Sequence, residues 1–483
     1  MMSVSRHRPA SVAAPPDRRV ERALQALYPG PWTLCERRPG ADCHRAELAL
    51  GGADPLTFLR YLAADGSLPA GGGCYWSDRS HSLLCAGVGS AAEVTGDEGT
   101  PFTEVCAGAE ALIGSSRQRL YGGFRFQDGQ PAHGEEPWWT PFGSYRFTLP
   151  RIELLRTPAG TTLACNFRHD ERDSLAGLPH DLAAHCRAAV QAALAGPPTP
   201  EGRPNPVGAC SHVPDRSRWR QLVAAVLRRF GSCLDGGSDP LEKIVLARRT
   251  TLQFAARICA LTLLQRLRMV NPAAFHFAVQ PPSGVTFFGA SPERLLRISG
   301  DTVETEALAG TRPRGDSPAA DARLEAELLR SDKELREHRY VHASIARSLR
   351  ELCSRVSTQD AVRVRKLAHV QHLHTSFSGT LRPGVGLANV LQRLHPTPAV
   401  GGYPTCGVSD LIAATEGFDR GWYAGPVGWI GAGAAEFAVA IRAGVADRNT
   451  LHLYAGNGIV RGSTADAEWA EMEQKILQIL DVV

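Results

Sequence analysis

The stretch that decides the fold is "DPLEKIVLARR", residues Asp239–Arg249. Ile244, Val245 and Leu246 form an apolar run after an Asp-Pro turn signal, and this pattern predicts a short strand. Side chains alternate along a strand, so covering both faces would direct Lys243 into the protein interior. Lysine is almost never fully buried unless it is paired or functional. Lys243 is therefore the first candidate functional residue.

A segment rich in proline and glycine, Gly196–Pro214, divides the chain into two parts. The first part contains short strand-like runs separated by turn signals, followed by a helical pattern over 181–194. The runs interpreted as strands are "PLTFLRYLAA", "GCYWSD", "SLLCAGVG", "YGGFRFQ", "GSYRFTLPRIELLRT" and "TTLACNFR". The first part is therefore predicted to be mostly β.

The second part predicts helices over 216–230 and 260–269, a long helix over 319–353 and a final helix over 465–480. A hairpin joins "AFHFAVQ" to "VTFFGAS" through the turn "PPSG". Three strands precede the final helix: "GWYAGPVGWIG", "EFAVAIRAGVA" and "TLHLYAGNGIV". Helices combined with mainly antiparallel strands predict a layered α+β fold.

The composition is that of an ordinary globular protein: 483 residues, 43% hydrophobic, 21% charged, with a net charge of +4. This charge is too small to indicate a nucleic-acid or membrane partner. Twelve cysteines without a C-x-x-C pair predict reduced thiols in the cytoplasm. Residues 1–20 predict a disordered tail, because a secretory signal needs an apolar run of about 7–15 residues. The sequence contains no run of about 18 apolar residues, so no transmembrane helix is predicted.

Two predicted helices each carry a pair of glutamates on one face. Glu334 and Glu337 are three residues apart, as are Glu468 and Glu471, with Lys475 one turn further on. One interpretation is two solvated faces, with Glu471 and Lys475 as an ion pair. The other is that both faces converge on one Mg²⁺ ion, which prefers oxygen ligands and usually keeps some of its waters.

Two charged residues accompany apolar strands in the second part. Glu293 follows Pro292 where an apolar strand ends. It is either a surface glutamate paired with Arg294 or a general acid poised by partial burial. Arg442 lies on a strand that is otherwise apolar, and a buried arginine needs a carboxylate partner from the protein or from a ligand.

Glycine turns supply further candidate contacts. Gly310 and Thr311 lie in a turn whose backbone amides could hold a carboxylate, and Gly456 and Gly458 allow close backbone approach. The role of His372 is undecided from its local context. Together these residues suggest a small anionic substrate that bears carboxylates, a magnesium ion, a base and an acid.

These residues belong to motifs that together resemble the chorismate-utilising enzymes, the family of anthranilate synthase component I. Ten motifs occur in the family's order over residues 215–483, and they are most similar to those of the isochorismate synthases. They are "EKIVLAR", "GASPERL", "ALAGTRPRG", "SDKELREH", "VQHLHT", "LHPTPAVGGYP", "FDRGWYAGPVGW", "EFAVAIR", "YAGNGIV" and "EWAEMEQKI". The resemblance implies two packed antiparallel sheets with helices outside, completed by residues 21–205, which match mainly through "YGGFRF".

The resemblance also implies roles for individual residues. Lys243 is the expected base that activates water for attack at C2 of chorismate, and Glu293 is the expected acid that protonates the departing C4 hydroxyl. Glu337 and Glu471 are the expected direct Mg²⁺ ligands, with Glu334 and Glu468 acting through water. The expected substrate contacts are Arg442 and Tyr423 with the enolpyruvyl carboxylate, Lys475, Gly310, Thr311 and Gly456 with carboxylates, and His372 with the ring.

Two positions discriminate within the family. Relatives that use ammonia carry glutamine in place of Lys243, and relatives that make aminodeoxychorismate carry a lysine in place of Ala309. Water is therefore the expected nucleophile, and no amidotransferase partner is needed. A salicylate synthase, which goes on to eliminate pyruvate, and an inactive chorismate-binding paralogue are the alternatives. Asn457, where alanine is common, is a departure beside the site, and the pathway served stays open among menaquinone, siderophores and salicylate-derived products.

Overall fold

The computed structural model describes residues 18–64, 68, 72–97, 99–127, 134, 136–168, 180–197, 202–234, 240–359 and 361–482. Of the tail predicted over residues 1–20, residues 1–17 lie outside these ranges. The first helix begins at Arg18, within the span predicted as tail. Asp239 of the opening stretch also lies outside them. No helix in the described ranges has both the length and the apolar character needed to cross a membrane.

Within the described residues the chain forms eleven α-helices. They are α1 (Arg18–Leu27), α2 (Pro55–Ala64), α3 (Phe102–Leu112), α4 (His180–Ala195), α5 (Arg216–Arg229), α6 (Ala260–Val270), α7 (Pro318–Arg330), α8 (Asp332–Leu352), α9 (Leu387–Leu394), α10 (Val408–Glu416) and α11 (Ala465–Leu480). The helices predicted near 181–194, 216–230, 260–269 and 465–480 are confirmed as α4, α5, α6 and α11.

The strand predicted for "PLTFLRYLAA" is wrong, because this segment is helix α2. Its apolar residues Leu56, Leu59 and Leu62 recur every three positions and are buried on one face. The Asp54 side chain caps the helix by accepting a hydrogen bond from the Thr57 N–H at 2.8 Å. The helical spacing and the cap together outweigh the strand-like composition of the segment.

The single long helix predicted over 319–353 is also wrong. The chain breaks at Ser331, which has an extended backbone (φ −76°, ψ 111°) between α7 and α8. Its hydroxyl accepts a hydrogen bond from the Glu334 N–H, so Ser331 is the N-cap of α8. The break gives α8 its own start and places Glu334 in its first turn.

The described residues also form 21 strands. They are β1 (Thr33–Leu34), β2 (Cys43–Leu50), β3 (Gly73–Ser77), β4 (Leu84–Gly96), β5 (Arg119–Phe124), β6 (Tyr145–Thr157), β7 (Gly160–Arg168), β8 (Ser211–Val213), β9 (Lys243–Gln253), β10 (Phe275–Gln280), β11 (Thr286–Ser291), β12 (Arg294–Ser299), β13 (Thr302–Pro313), β14 (Cys353–Thr358), β15 (Arg363–Lys366), β16 (Val370–Leu381), β17 (Gly402–Tyr403), β18 (Pro426–Gly431), β19 (Ala434–Val439), β20 (Ala443–Asp447) and β21 (Thr450–Val460). The predicted hairpin is confirmed as β10 and β11.

The strands pair antiparallel and connect into one network that branches at β6. One side of β6 pairs with β4, while its other side pairs first with β5 and then with β7. One sheet continues from β4 through β3, β10, β11, β20, β21 and β9. The other continues from β5 through β18, β19, β12, β13 and β16. The predicted α+β class is confirmed, and its two antiparallel sheets share β6.

The chain passes between the two sheets at two neighbouring places, from β11 to β12 and from β19 to β20. Because β11 pairs with β20 and β12 pairs with β19, the two connections lie side by side. The Val439 N–H donates to the Glu293 carbonyl, and the Ala290 N–H donates to the Arg442 carbonyl, each at 3.1 Å. These connections place Glu293 and Arg442 next to each other at the junction of the sheets.

The continuous strand predicted for "EFAVAIRAGVA" is therefore wrong at Arg442. β19 ends at Val439 and β20 begins at Ala443, and Arg442 between them has a φ of 51°. Non-glycine residues rarely adopt this left-handed conformation, and those that do are often found at functional sites. Sequence alternation alone did not indicate that the chain changes sheets here.

Candidate active site

The buried lysine of the opening stretch has one charged neighbour. Lys243 is the first residue of β9, between Val460 of β21 and Tyr403 of β17, and its side chain is fully buried. Its Nζ lies 3.0 Å from the Glu337 Oε1 on α8. It has no hydrogen bond of favourable geometry to any described residue. A buried ammonium with a single carboxylate beside it is an arrangement that core packing alone does not require.

Gly458 makes room for this ion pair, and it was not among the residues predicted to form the site. A Cβ atom at this position would lie 2.3 Å from the Glu337 Oε1 and 2.8 Å from the Lys243 Cε. Any side chain here would therefore separate the two charges. The Gly-x-Gly pattern in "AGNGIV" predicts close backbone approach at both glycines, but only Gly456 was assigned a substrate contact.

Glu293 lies on the β11–β12 connection and is buried rather than on the surface. The alternative interpretation was an ion pair between Glu293 and Arg294. It is not among the described ion pairs, because Arg294 contacts Glu436 and Glu304 instead. Burial raises the pKa of Glu293 to about 8, with a further contribution from the Glu306 carboxylate and opposition from nearby cations. Glu293 is therefore mostly protonated at neutral pH and can donate a proton.

Arg442 reaches the site from the β19–β20 connection. Its Nε donates to the Gln478 Oε1 at 2.9 Å, and none of the ion pairs found among the described residues involves it. Of the two partners left open by the sequence, this favours a ligand carboxylate. Tyr423, also predicted to contact that carboxylate, is buried and stacks on Tyr454 with ring centroids 5.2 Å apart. A Cβ atom at Gly456 would lie 3.2 Å from the Tyr423 hydroxyl, so this glycine leaves room for the tyrosine.

The Gly310 turn is a bulge in the pairing of β13 with β16, and Gly310 has a φ of 78°. The Thr311 N–H, predicted to hold a substrate carboxylate, donates at 3.2 Å to the Glu334 carboxylate of α8.

Lys475, predicted to hold a carboxylate too, donates to the Gly456 carbonyl at 2.9 Å. It also forms the alternative i,i+4 ion pair with Glu471, at 2.8 Å.

His372 has one nitrogen engaged and one available. Its Nδ1 lies 3.2 Å from the Gly310 carbonyl and 3.1 Å from the Thr311 hydroxyl. Burial, together with the Arg442 charge, lowers the pKa of His372 to about 3, so the ring is neutral. A carbonyl only accepts, so Nδ1 carries the proton and the buried Nε2 is left as an acceptor without a described partner. Such an acceptor suits a hydroxyl or water rather than a carboxylate.

The four predicted metal-binding glutamates each contact a cation of the protein. Glu337 lies beside Lys243, and Glu471 lies beside Lys475. Glu334 lies 2.9 Å from Arg312, and Glu468 lies 2.7 Å from Lys333. In the described part of the chain, no three His, Cys, Asp or Glu side chains are grouped so that they could hold a metal ion. The four-glutamate magnesium site therefore stays a prediction.

Asn457 forms hydrogen bonds with both Lys475 and Glu468. Its Oδ1 accepts from the Lys475 ammonium, and its Nδ2 donates to the Glu468 carbonyl at 2.7 Å and to its carboxylate at 3.1 Å. The sequence identified Asn457 only as a departure from the family. In the structure it orients Lys475 and Glu468 from one position.

A cavity of about 70 Å³ brings most of the predicted residues together. Ten of the thirteen line it: Glu293, Gly310, Thr311, Glu337, His372, Tyr423, Arg442, Gly456, Glu471 and Lys475. The remaining three, Lys243, Glu334 and Glu468, lie behind this lining, with Lys243 next to Glu337 and Gly458. Ala309 also lines the cavity, so the position that carries a nucleophilic lysine in some relatives presents only a methyl group here.

Arg420 is a lining residue that the sequence interpretation missed. It is buried, forms an ion pair with Glu416, and donates to the Val245 carbonyl at 2.9 Å. The Glu416 carboxylate also accepts from the Ala247 N–H. This pair therefore fixes the strand that carries Lys243. Arg420 lies within the quoted motif "FDRGWYAGPVGW", but nothing local distinguished it from a surface arginine.

Comparison with known proteins agrees with this geometry. The sequence profile of the family described as "Chorismate binding enzyme" matches residues 40–483. Isochorismate synthase 2 of Arabidopsis thaliana is 36% identical over 74% of this chain, which spans 63% of that relative's length. The salicylate biosynthesis isochorismate synthase of Pseudomonas aeruginosa is 34% identical over 86% of each chain. The solved structure of MenF, the menaquinone-specific isochorismate synthase of Escherichia coli, superimposes with a TM-score of 0.74 at 24% identity, covering 96% of this chain and 99% of that one.

The ion pair between Lys243 and Glu337 should respond asymmetrically to substitution. Lys243→Met should change the free energy of unfolding only a little, because it removes the fully buried charge and leaves Glu337, whose side chain is 16% exposed at the cavity and can be solvated. Glu337→Ala should lower it by about 3 kcal/mol or more, because Lys243 then stays buried without a counter-charge. Urea unfolding of the metal-free protein measures both values.

The exposed pair Arg323 and Glu327 on α7 provides the control, since removal of either partner should change the free energy of unfolding by less than about 1 kcal/mol. Equal losses of stability in Lys243→Met and Glu337→Ala would contradict the asymmetry.

Proposed function

Because the chain belongs to the chorismate binding enzyme family, we propose that it is an isochorismate synthase, an isomerase that converts chorismate to isochorismate. The observation that carries the proposal is a buried, protonated Glu293 facing the same cavity as an arginine without a carboxylate partner in the described protein. A cavity with a proton donor and an unpaired guanidinium suits an anionic substrate that loses a hydroxyl group. The names of the relatives support the same reaction.

Water is the proposed nucleophile. Lys243 takes the position where ammonia-using relatives have glutamine, and Ala309 offers no amine to the cavity. Water needs a base to be a good nucleophile, and hydroxide needs an acid to be a good leaving group, so the two functions must act on the ring together. The reaction then needs no amidotransferase subunit.

In the proposed reaction, water gives a proton to Lys243 as its oxygen bonds to C2 of chorismate. The ring double bonds shift, the C4–O bond breaks, and the departing hydroxyl takes the Glu293 proton and leaves as water. The base gains one proton and the acid loses one, so the reaction is balanced. A lysine must be neutral to accept a proton, so Lys243 can act only once its contact with the Glu337 carboxylate is released.

The residues of the cavity fit a bound Mg²⁺ ion. Glu337 and Glu471 both line it, and Mg²⁺ is usually held by one or two carboxylates together with substrate oxygens and water. Burial, with the nearby charge of Glu337, raises the pKa of Glu334, which reflects a crowding of carboxylates that a cation would relieve. When bound, the ion would hold the ring carboxylate and neutralise charge during the displacement.

The first test of the proposal is the identity of the product. Purified protein incubated with chorismate and Mg²⁺ should form isochorismate. High ammonium near pH 8, where part of the ammonium is free ammonia and Glu293 is still partly protonated, should not divert the product, because Lys243 replaces the glutamine of the ammonia-using relatives. Chromatography against standards measures both results. Anthranilate as the main product would refute the choice of water, salicylate with stoichiometric pyruvate would indicate the lyase, and unchanged chorismate would indicate an inactive paralogue.

The second prediction concerns the acid and the base. Glu293→Gln and Lys243→Met should each lower kcat by about 10²- to 10⁴-fold, because each removes one proton-transfer group. Glu293 acts in its protonated form, so the activity of the unmodified protein should fall as the pH rises through about 8. Glu304→Gln, a half-exposed glutamate on β13, is the control and should keep full activity. Near-normal turnover in either site variant would remove that residue from the mechanism.

The third prediction concerns the metal ion. Activity should be lost in EDTA and restored by Mg²⁺, and Glu337→Ala or Glu471→Ala should raise the Mg²⁺ concentration required. Calorimetric titration of the Glu293→Gln variant with Mg²⁺ in the presence of chorismate checks binding where turnover is strongly reduced. Asp466→Ala, which changes an exposed carboxylate on the same helix as Glu471, should behave as the unmodified protein. Full activity in the chelator would refute the metal requirement.

A further inference from the structure

The peptide that carries Glu293 is held on both sides by one ion pair outside the cavity lining. Arg79, from the turn between β3 and β4, donates through Nη1 to the Pro292 carbonyl at 2.8 Å and to the Glu306 carboxylate at 2.6 Å. Its Nη2 donates to the other Glu306 oxygen at 3.0 Å. The Arg294 N–H donates to Glu306 at 2.8 Å. The residues immediately before and after Glu293 are thus both bonded to this pair.

Glu306 is placed to remain ionised. It is buried on β13, where its Oε2 also accepts from Arg365 at 3.0 Å and lies 3.2 Å from the His374 Nε2. Burial alone would raise its pKa, but the hydrogen bond with His374 and the charges of Arg79 and Arg365 hold the pKa of Glu306 well below its usual range. Glu306 therefore presents a fixed negative charge beside Glu293.

Glu293 itself lies among charges of both signs. The charged and titratable groups that face it from the elements packed around it are Glu306, Arg79, Lys243, Arg442 and Tyr423. The three cations favour its ionised form, and burial and Glu306 favour its protonated form. Its pKa of about 8 means that burial and Glu306 prevail. Without the Glu306 charge, the cations would act on Glu293 opposed by burial alone.

We propose that Arg79 and Glu306 are positioning residues for Glu293, the arginine fixing where its carboxyl group points and the glutamate keeping that group protonated. The inference rests on the proposed function, in which Glu293 donates the proton to the departing hydroxyl. After the donation, both Glu293 and Glu306 are ionised, and their electrostatic repulsion favours the uptake of a new proton by Glu293. Arg79 also gives the first part of the chain a role in the reaction, although it does not line the cavity.

The two residues should have separable effects on the dependence of kcat/KM on pH. Glu306→Gln keeps the shape but removes the charge, so the fall in activity above about pH 8 should move to lower pH by about one unit. Arg79→Gln removes a cation and the bond to Pro292, so the fall should move to higher pH while kcat decreases. Arg79→Lys keeps the cation but loses the two-pronged contact, so kcat should decrease while the fall stays in place.

Glu304→Gln is the matched control, since it makes the same change two residues away on the same face of β13, at a side chain that is 45% exposed. It should leave the pH profile unchanged. Thermal unfolding of each variant checks that it is folded. Equal profiles for Glu306→Gln and Glu304→Gln, or shifts of Glu306→Gln and Arg79→Gln in the same direction, would overturn the inference.

A measurement without substrate separates this inference from the proposed function. The infrared C=O band of the protonated Glu293 carboxyl group, identified by its loss in Glu293→Gln, can be titrated with pH in each variant. A band that titrates at lower pH in Glu306→Gln supports the inference even if chorismate is not converted, in which case the proposed function alone fails. Conversion to isochorismate with an unmoved band refutes the inference alone.

Discussion

The site depends on one constraint of the backbone: two of the places where the chain changes sheets are adjacent, and the chain crosses there in opposite directions. The β11–β12 and β19–β20 connections are hydrogen-bonded to each other through the Glu293 and Arg442 carbonyl groups. The proton donor and the arginine proposed to bind a carboxylate are therefore fixed relative to each other by main-chain bonds rather than by flexible side chains. The left-handed conformation of Arg442 is what this geometry requires of a non-glycine residue.

The electrostatics of the cavity depend on which of its charged side chains lie beside a side chain of opposite charge. Each glutamate of α8 and α11 that faces the site already lies beside a cation, which limits the repulsion between them. Arg442 lies in the same cavity without an ion-pair partner among the described residues, and Glu293 is held neutral. An incoming dianion would therefore meet one unmatched positive charge, a neutral acid and a neutral His372. This distribution favours binding of an anion while the proton donor stays protonated.

Strand alternation and helix periodicity predicted the α+β class, because they are local patterns that burial preserves. Most of the lining of the cavity was predicted through the resemblance to the chorismate-utilising enzymes, whose motifs contain those residues. Lys243 could be identified as buried from its position in one apolar strand. Arg420 and the Arg79–Glu306 pair could not be identified, because their contacts join parts of the chain that are far apart in sequence. For the same reason the Gly-x-Gly pattern did not show that Gly458 makes room for the Lys243–Glu337 pair. The breaks at Ser331 and Arg442 were missed for a different reason: a local capping contact in one case and a change of sheet in the other override the periodicity of the apolar residues.

The sharing of β6 by both sheets has a consequence for how the protein folds. β5, which pairs with β6, also pairs with β18, and these two strands are separated by about 300 residues along the chain. Contacts between residues this far apart form late and make folding slow, because closing a long loop costs conformational entropy until other contacts have shortened it. The cavity lies between strands that belong to both branches, so it can form only after nearly the whole chain has been synthesised. The two parts of the chain should then behave as one cooperative unit in hydrogen exchange, without an independently folded fragment that retains the site.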